Sequence, residues 1–235
     1  MKLTIIQTGE VPAPLLPRFG SYPRMFERMF DATGRDFSYE VVAVSNGEAL
    51  PDPSGLDGIV ITGSPAGVYE DHPWLDPLRD FIRRAYAANT PMLGICFGHQ
   101  IMADALGGVV TKSEKGWGIG RHTYQVTARP AFMADAPEAL SVACSHQDQV
   151  IEAPSEAEVI LASEFTPNAG LAYRNGAALS FQPHPEFEDD YAQALAEMRR
   201  GRAPDAVVDS AVASLERASD SRILSDYIAR FFTER

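Results

Sequence analysis

The chain alternates short apolar runs with amphipathic helical runs, and this alternation restricts its fold more than any other sequence feature. The apolar runs are rich in β-branched residues and nearly continuous, as in strands that are covered on both faces. Such alternation indicates a parallel sheet with crossover helices. The predicted strands are LTIIQTG (3–9), YEVVAVS (39–45), DGIVITG (57–63) and PMLGIC (91–96). The predicted helices cover residues 22–33, 74–89 and 99–107.

The middle of the chain has a different pattern, with short strand-like runs, turns between them and few helical patterns. The segment RNGA (174–177) predicts a hairpin, because Asn-Gly suits a type I′ turn. The last fifty residues indicate helices. We therefore predict an α/β fold with a mostly parallel central sheet, helices on both faces and some antiparallel strands. We expect a single domain over 1–235, in which residues 191–235 form a C-terminal helical extension.

Composition and charge narrow the possible functions. Of the 235 residues, 45% are hydrophobic, which argues against disorder, and the formal net charge is −12. A surface this acidic repels phosphate backbones. We therefore expect no nucleic-acid partner. No apolar run approaches the ~18 residues that span a membrane. The start MKLTIIQTGE indicates a first strand rather than a signal peptide, so we expect a cytoplasmic protein whose two cysteines are thiols.

The segment GICFGHQ (94–100) places Cys96 between two glycines where a predicted strand passes into a helix. Glycines on either side allow a tight bend and leave room for a substrate. The start of the following helix directs free N–H groups at the turn, and that field favours a negative charge. This pattern predicts an exposed nucleophilic thiol. The alternative is a buried core cysteine, because cysteine is among the most buried residue types.

A nucleophilic cysteine needs a base and a group that orients the base. In FQPHPEFEDD (181–190), His184 lies between two prolines that restrict the backbone, and Glu186 follows two residues later. Glu186 could accept a hydrogen bond from the ring nitrogen that faces away from the thiol. The alternative is a rigid surface turn with a solvated histidine.

Together these segments resemble the class I, triad-type glutamine amidotransferases. GICFGHQ matches the family's Gly-x-Cys-x-Gly-x-Gln motif, and HPE (184–186) matches its His-Pro-Glu motif. ITGSP (61–65) resembles the family's oxyanion loop, and SHQDQV (145–150) resembles a segment of the GMP synthetase glutaminase subgroup. The resemblance covers roughly residues 1 to 190 and implies a flavodoxin-like sheet. The segment KGWG (115–118) is similar to a feature of stand-alone members and suggests that Trp117 lines the pocket.

The resemblance implies a role for each matching residue. Cys96 would form a γ-glutamyl thioester, His184 would transfer protons, and Glu186 would orient His184. Main-chain N–H groups of Ser64 and Phe97 would hold the oxyanion, although glycine is commoner in the family where Ser64 stands. The substrate-binding residues would be Gly63, Gln100, Ser145, His146 and Gln147. His146 is expected to be a local hydrogen-bonding residue rather than a second base, and Cys144 a core residue.

Three functions remain compatible with the sequence. The first is hydrolysis of glutamine by an amidotransferase, which could pass ammonia to a synthetase partner. The second is a stand-alone γ-glutamyl hydrolase or peptidase that acts on γ-glutamyl amines or peptides. The third is a non-enzymatic binding protein on the same fold, against which the complete triad argues. We expect a small-molecule substrate, no membrane partner, no metal and no cofactor, since no Walker motif, dinucleotide fingerprint or metal-ligand spacing occurs.

Overall fold

In the computed structural model, which describes residues 1–234, the chain is built around one nine-stranded sheet in the order β2-β1-β3-β4-β11-β10-β9-β6-β7. A second, two-stranded sheet pairs β5 with β8. The strands are β1 (Lys2–Gln7), β2 (Ser38–Ala43), β3 (Gly58–Ile61), β4 (Met92–Ile95), β5 (Val109–Lys112), β6 (Gly118–Val126), β7 (Ala139–His146), β8 (Asp148–Glu152), β9 (Ala157–Ala162), β10 (Gly170–Tyr173) and β11 (Ala178–Phe181).

The large sheet has a parallel half and an antiparallel half. Strands β2, β1, β3, β4 and β11 are parallel neighbours, and their interiors are short apolar segments. From β11 onward the sheet continues through β10, β9, β6 and β7, each antiparallel to the strand before it. The predicted α/β fold, with a parallel sheet and added antiparallel strands, is confirmed. Because β4 and β11 are adjacent, the segments that follow them meet at one end of the sheet.

Helices cover both faces of the sheet, as the continuous apolar strands require. On one face, α2 and α7 bury aromatic residues such as Phe26 and Phe232 against Leu3 and Ile5. On the other face, α3 and α4 pack against β1, β3 and β4. The helices are α1 (Leu16–Phe19), α2 (Tyr22–Asp31), α3 (Leu75–Ala87), α4 (Phe97–Ala105), α5 (Asp189–Glu197), α6 (Asp205–Ser214) and α7 (Ser221–Thr233).

The C-terminal helices complete the antiparallel half of the sheet. β6 pairs with β9 only at residues 125 and 126, so the earlier part of that edge lacks a neighbouring strand. Helix α6 covers this edge: the N–H of Arg121 donates to Ser214 Oγ at 2.7 Å, and Arg217 donates to the Arg121 carbonyl at 3.1 Å. Gly120 has a φ of +85° and lies directly against Ala211 of α6, where a side chain would collide. Arg235, the last residue of the predicted extension 191–235, lies outside the described residues.

One local expectation is wrong, and two local features were not predicted. The β10–β11 hairpin exists, but its turn is not type I′, because Asn175 does not have the positive φ that this type needs and Gly176 alone does, at +67°. Instead Asn175 Oδ1 accepts a hydrogen bond from the N–H of Ala177 at 2.9 Å. The β5–β8 sheet was not predicted from the sequence. The helical region after residue 200 is divided into α6 and α7 by the turn that ends at Asp220.

Candidate active site

Cys96 lies at the sharp junction between β4 and α4. Its backbone has φ +54° and ψ −102°, a strained conformation for a residue with a side chain. The strain is held by hydrogen bonds on both sides, from the N–H of Cys96 to the Phe181 carbonyl at 2.8 Å and from the N–H of Gln100 to the Cys96 carbonyl at 3.0 Å. The predicted bend is therefore present, with the thiol at the start of a helix. The expectation of an exposed thiol is wrong, because Cys96 is only 6% exposed and belongs to an apolar core cluster.

The two glycines that flank Cys96 stand where a side chain would collide with neighbouring backbone atoms. A side chain at Gly94 would overlap the backbone of Gly98 and approach Met102 Sδ to 2.6 Å. A side chain at Gly98 would overlap the carbonyl oxygen of Ile61 in β3. The N–H of Gly98 also donates to the Thr62 carbonyl at 3.2 Å. The glycines thus let α4 start directly against β3 and β4.

His184 and Glu186 form a buried hydrogen-bonded pair beside Cys96. His184 Nδ1 and Glu186 Oε1 are 2.6 Å apart, and His184 is only 3% exposed. The N–H of His184 donates to the Ala143 carbonyl at 2.8 Å, which fixes the turn after β11 against β7. A side chain at Gly63 would lie 3.2 Å from His184 Cε1 and 3.8 Å from Cys96 Cβ, so both groups meet at this glycine.

The charges around His184 favour its protonated form. Burial on its own lowers the pKa of an imidazole, but the charges of Glu186 and Cys96 and hydrogen bonds to both outweigh burial and raise the pKa of His184 to about 10. The hydrogen bond between Nδ1 and Glu186 leaves Nε2 for the thiol. Such a pair can hold a proton between sulfur and nitrogen at neutral pH.

An aromatic group supports the histidine ring. Phe187 stacks on His184 with ring centroids 3.8 Å apart and an interplanar angle of 8°. Tyr191 of α5 packs edge-on against Phe187 at 4.6 Å. An aromatic face attracts a cation, so this stack both fixes the imidazole and favours its charged form.

The loop after β3 brings Ser64 to the same end of the sheet. Ser64 does not have a positive φ, so serine is unstrained where glycine is commoner in the family. Its hydroxyl donates to the Thr8 carbonyl at 2.7 Å and accepts from the N–H of Ala66 at 3.1 Å. Phe97 is the first residue of α4, so its N–H has no acceptor within the helix. Within residues 1–234, neither of these two N–H groups has a hydrogen-bond acceptor.

A polar cavity of about 260 Å³ opens at Cys96. It brings together Cys96 and five other residues predicted from the sequence, whereas His184, Glu186, Gly63 and Phe97 are not among its lining residues. Trp117 lines the cavity, as the sequence suggested. The predicted residues that line it are Ser64, Cys96, Gln100, Ser145, His146 and Gln147.

Gln100 and His146 are more constrained than surface positions would be. Gln100 is only 3% exposed, and its amide nitrogen donates to the Asp148 carbonyl at 2.8 Å and to Gln182 Oε1 at 3.1 Å. His146 is also buried, and its Nδ1 lies 3.1 Å from the same carbonyl. Burial, followed by the proximity of His122, lowers the pKa of His146 to about 3. A neutral imidazole held in this way is the local hydrogen-bonding residue that was predicted. Cys144 is confirmed as a core residue, and burial raises its pKa to about 12.

Three cationic residues at the cavity were not predicted as site residues. They are Lys112 of β5, and Arg199 and Arg202, which follow α5 in the C-terminal extension. The only signal for the last two is a basic run, RRGR (199–202), in an otherwise acidic chain. Tyr69 and Glu70 from the loop after β3 also line the cavity.

The family can now be assigned. The model of the glutamine amidotransferase class-I family matches residues 20–194, which include the elbow at Cys96 and the pair at His184 and Glu186. The chain belongs to the class I glutamine amidotransferases. Of the three cationic residues at the cavity, Lys112 lies within the matched residues, whereas Arg199 and Arg202 lie beyond them.

Individual relatives within this family have different activities. The chain is 32% identical to γ-glutamyl peptidase 4 of Arabidopsis thaliana, across 73% of this chain and 70% of the peptidase. It is 38% identical to the glutamine-hydrolysing GMP synthase of Aquifex aeolicus, across 55% of this chain but 24% of the synthase. A glutamine amidotransferase of Thermotoga maritima has the same fold, with a TM-score of 0.79 at 22% identity, covering 100% of this chain and 99% of that one.

None of the helices in residues 1–234 is both long and apolar enough to cross a membrane. No cluster of three or more His, Cys, Asp or Glu side chains in that range is placed to hold a metal ion.

Proposed function

We propose that the chain hydrolyses the γ-amide bond of a γ-glutamyl compound, with Cys96 as the nucleophile, His184 as the general acid and base, and Glu186 as the residue that orients His184. The observation that carries this proposal is the hydrogen-bonded pair of His184 and Glu186 beside a thiol at a strained helix start. Membership of the class I amidotransferase family supports it.

In the first half of the reaction, the Cys96 thiolate attacks the γ-carbonyl carbon and forms a tetrahedral oxyanion. The N–H groups of Ser64 and Phe97 are the proposed donors to that oxyanion, because neither has a hydrogen-bond acceptor, Ser64 lines the cavity at Cys96, and Phe97 directly follows Cys96. The imidazolium of His184 gives its proton to the leaving nitrogen. The carbon–nitrogen bond then breaks, and ammonia or an amine leaves behind a thioester.

In the second half, water replaces the amine. Neutral His184 takes a proton from the water as its oxygen attacks the thioester carbon, and the carbon–sulfur bond breaks. Glutamate leaves, and the thiolate and imidazolium are restored. Glu186 keeps its hydrogen bond to Nδ1 throughout, so that Nε2 remains directed at the reacting atoms.

The substrate side of the cavity is proposed for the glutamyl group. Gly63 has no side chain that would crowd Cys96 and His184, and Gln100 lines the cavity from the first turn of α4. Ser145, His146 and Gln147 come from the end of β7 and face the same cavity. We propose that main-chain and side-chain groups of this segment bind the α-amino and α-carboxylate ends.

The leaving group distinguishes the two activities of the relatives. A peptidase releases an amine or amino acid, and a glutaminase releases ammonia that a synthetase partner can use. We propose that the chain acts by itself and that γ-glutamyl amines or peptides match or exceed glutamine as substrates. Support comes from the segment between α5 and α6, which brings Arg199 and Arg202 to the cavity, while the two helices pack on the antiparallel half of the sheet.

The test is glutamate release by the purified protein from glutamine, γ-glutamyl-methylamide and γ-glutamyl-glycine. We expect release from at least one compound, at a rate that Cys96→Ala abolishes. Cys144→Ser is the matched control, because it removes the other thiol, which lies buried in β7. If the protein releases no glutamate from any of the three compounds and becomes active only after a synthetase is added, the proposal of a stand-alone activity is wrong. The chain would then act as an amidotransferase subunit.

A further inference from the structure

The cavity at Cys96 contains cationic side chains that lack counter-ions. Lys112, Arg199 and Arg202 all line it, and none forms an ion pair with another residue in 1–234. Most other arginines of the chain pair with a carboxylate within 4 Å. Arg200, between the two cavity arginines, pairs with Glu197 and Asp209. In a chain with a net charge of −12, three unpaired cations at one cavity form a local cationic cluster.

Arg199 is held in place, yet one of its buried donors has no acceptor. Its guanidinium carbon lies 4.5 Å from the centre of the Trp117 ring, and one terminal nitrogen donates to Ser145 Oγ over a long 3.3 Å. Its Nε is buried and has no hydrogen-bond partner among the described residues. The backbone is also fixed, since the carbonyl of Arg199 accepts from the N–H groups of Arg202 and Ala203 at 2.9 and 2.8 Å. A buried unpaired donor is unfavourable unless a ligand supplies the acceptor.

The acidic side chains of the cavity do not accept a hydrogen bond from Arg199. Asp148 Oδ1 accepts from the hydroxyl of Tyr69 at 3.1 Å, and Glu70 Oε2 lies 2.9 Å from His72 Nε2. Both carboxylates are therefore engaged on the side of the loop after β3. The guanidinium of Arg199 faces the cavity with open hydrogen-bonding capacity.

We infer that Arg199, assisted by Arg202 and Lys112, binds a carboxylate group of the substrate. A planar guanidinium stacked on an aromatic ring suits two parallel hydrogen bonds to a carboxylate. A carboxylate is also the anionic group that every γ-glutamyl compound contains. It belongs either to the α-carbon of the glutamyl group or to an amino-acid leaving group. This inference rests on the proposed function only in taking a γ-glutamyl compound as the occupant of the cavity.

Binding is best measured without turnover, by calorimetry on protein that carries Cys96→Ala. In that background, we expect Arg199→Gln to weaken binding of γ-glutamyl-glycine by about 10- to 100-fold, the range for hydrogen bonds to charged groups. Arg199→Lys retains the charge but loses the planar fork, so its loss should be intermediate. Arg202→Gln removes an exposed charge without affecting packing and should weaken binding by a few fold. The matched control is Arg174→Gln, an exposed arginine outside the cavity.

Parallel titrations with γ-glutamyl-methylamide locate the carboxylate. If Arg199→Gln weakens the binding of γ-glutamyl-glycine alone, Arg199 binds the carboxylate of the leaving group. If it weakens the binding of both compounds equally, Arg199 binds the α-carboxylate. Unchanged binding in Arg199→Gln, or an equal loss in Arg174→Gln, overturns the inference. Glutamate release by protein with native Cys96 is measured separately. If binding depends on Arg199 but no glutamate is released, the proposed hydrolase activity is refuted and the carboxylate-binding site is retained.

Discussion

Substitution of Gly98 by alanine tests whether close packing of α4 on β3 positions the thiol. The new methyl group would overlap the Ile61 carbonyl oxygen and lie 3.0 Å from its carbon and 3.1 Å from Ile61 Cβ. Carbon atoms in favourable contact are about 3.5–4.0 Å apart, so α4 must move by about 0.5–1 Å. A displacement of about 1 Å at a reacting group lowers rates by about 10²-fold. We therefore expect glutamate release to fall by up to about 10²-fold.

The same substitution has an effect on stability that can be worked out. Overpacking costs about 1–3 kcal/mol, and contact with a carbonyl that cannot rotate away places Gly98→Ala near the upper value. Alanine favours a helix over glycine by about 1 kcal/mol, which leaves a net loss of about 2 kcal/mol. For a chain of this size, such a loss lowers the melting temperature by roughly 4–8 °C. Thermal denaturation measures the shift.

Gly55→Ala is the matched control, because an added Cβ there would meet nothing within 4 Å. It should leave both the melting temperature and glutamate release close to wild-type values. If Gly98→Ala shows wild-type activity and melting temperature, the steric account of the elbow is wrong.

The other predictions concern the remaining groups at the site. Cys96→Ser should abolish glutamate release without a change in fold, whereas Cys144→Ser should retain most activity; the reverse result would mean that the wrong thiol was chosen. Glu186→Gln removes a carboxylate that raises the pKa of His184, so the pKa of the imidazole should fall below about 10 when it is measured by nitrogen NMR. Turnover should fall less than in His184→Ala. An unchanged titration of His184 would contradict this electrostatic account. Ser64→Gly retains the N–H and should stay within about tenfold of wild type, whereas Ser64→Pro removes it and should cost roughly 10²–10³ in rate; equal effects would exclude Ser64 from the oxyanion site.

The parts of the fold that the sequence predicts are those in which a local pattern determines the structure. β4 is a short continuous apolar run with a turn at its end, so its length and the flanking proline and glycine locate it to within a residue or two. β5 and β8 were missed because each is short and mixes apolar with polar residues. Their pairing connects Val110 with Val150, which are forty residues apart, and no local pattern records such a contact.

The same distinction applies to the candidate site. Cys96, His184 and Glu186 were predicted because local residues reveal them: glycines beside Cys96 allow a tight bend, and prolines beside His184 restrict its backbone. Arg199 was not predicted, because it reaches the cavity only through the packing of α5. Ser64 lies between these cases. Its position was predicted, but the hydrogen bond from its hydroxyl to the Thr8 carbonyl depends on contact with the segment after β1.

Helix α5 links the two sides of the candidate site. At its start, Tyr191 packs on Phe187, which in turn stacks on His184. Just beyond its end, Arg199 lies over Trp117 at the cavity. The helix itself is fixed by the ion pair between Asp189, in its first turn, and the buried Arg121 of β6. A shift of α5 would therefore disturb the support of the imidazole and the cationic side of the cavity together, so the segment after the His-Pro-Glu motif is part of the site rather than an addition to it.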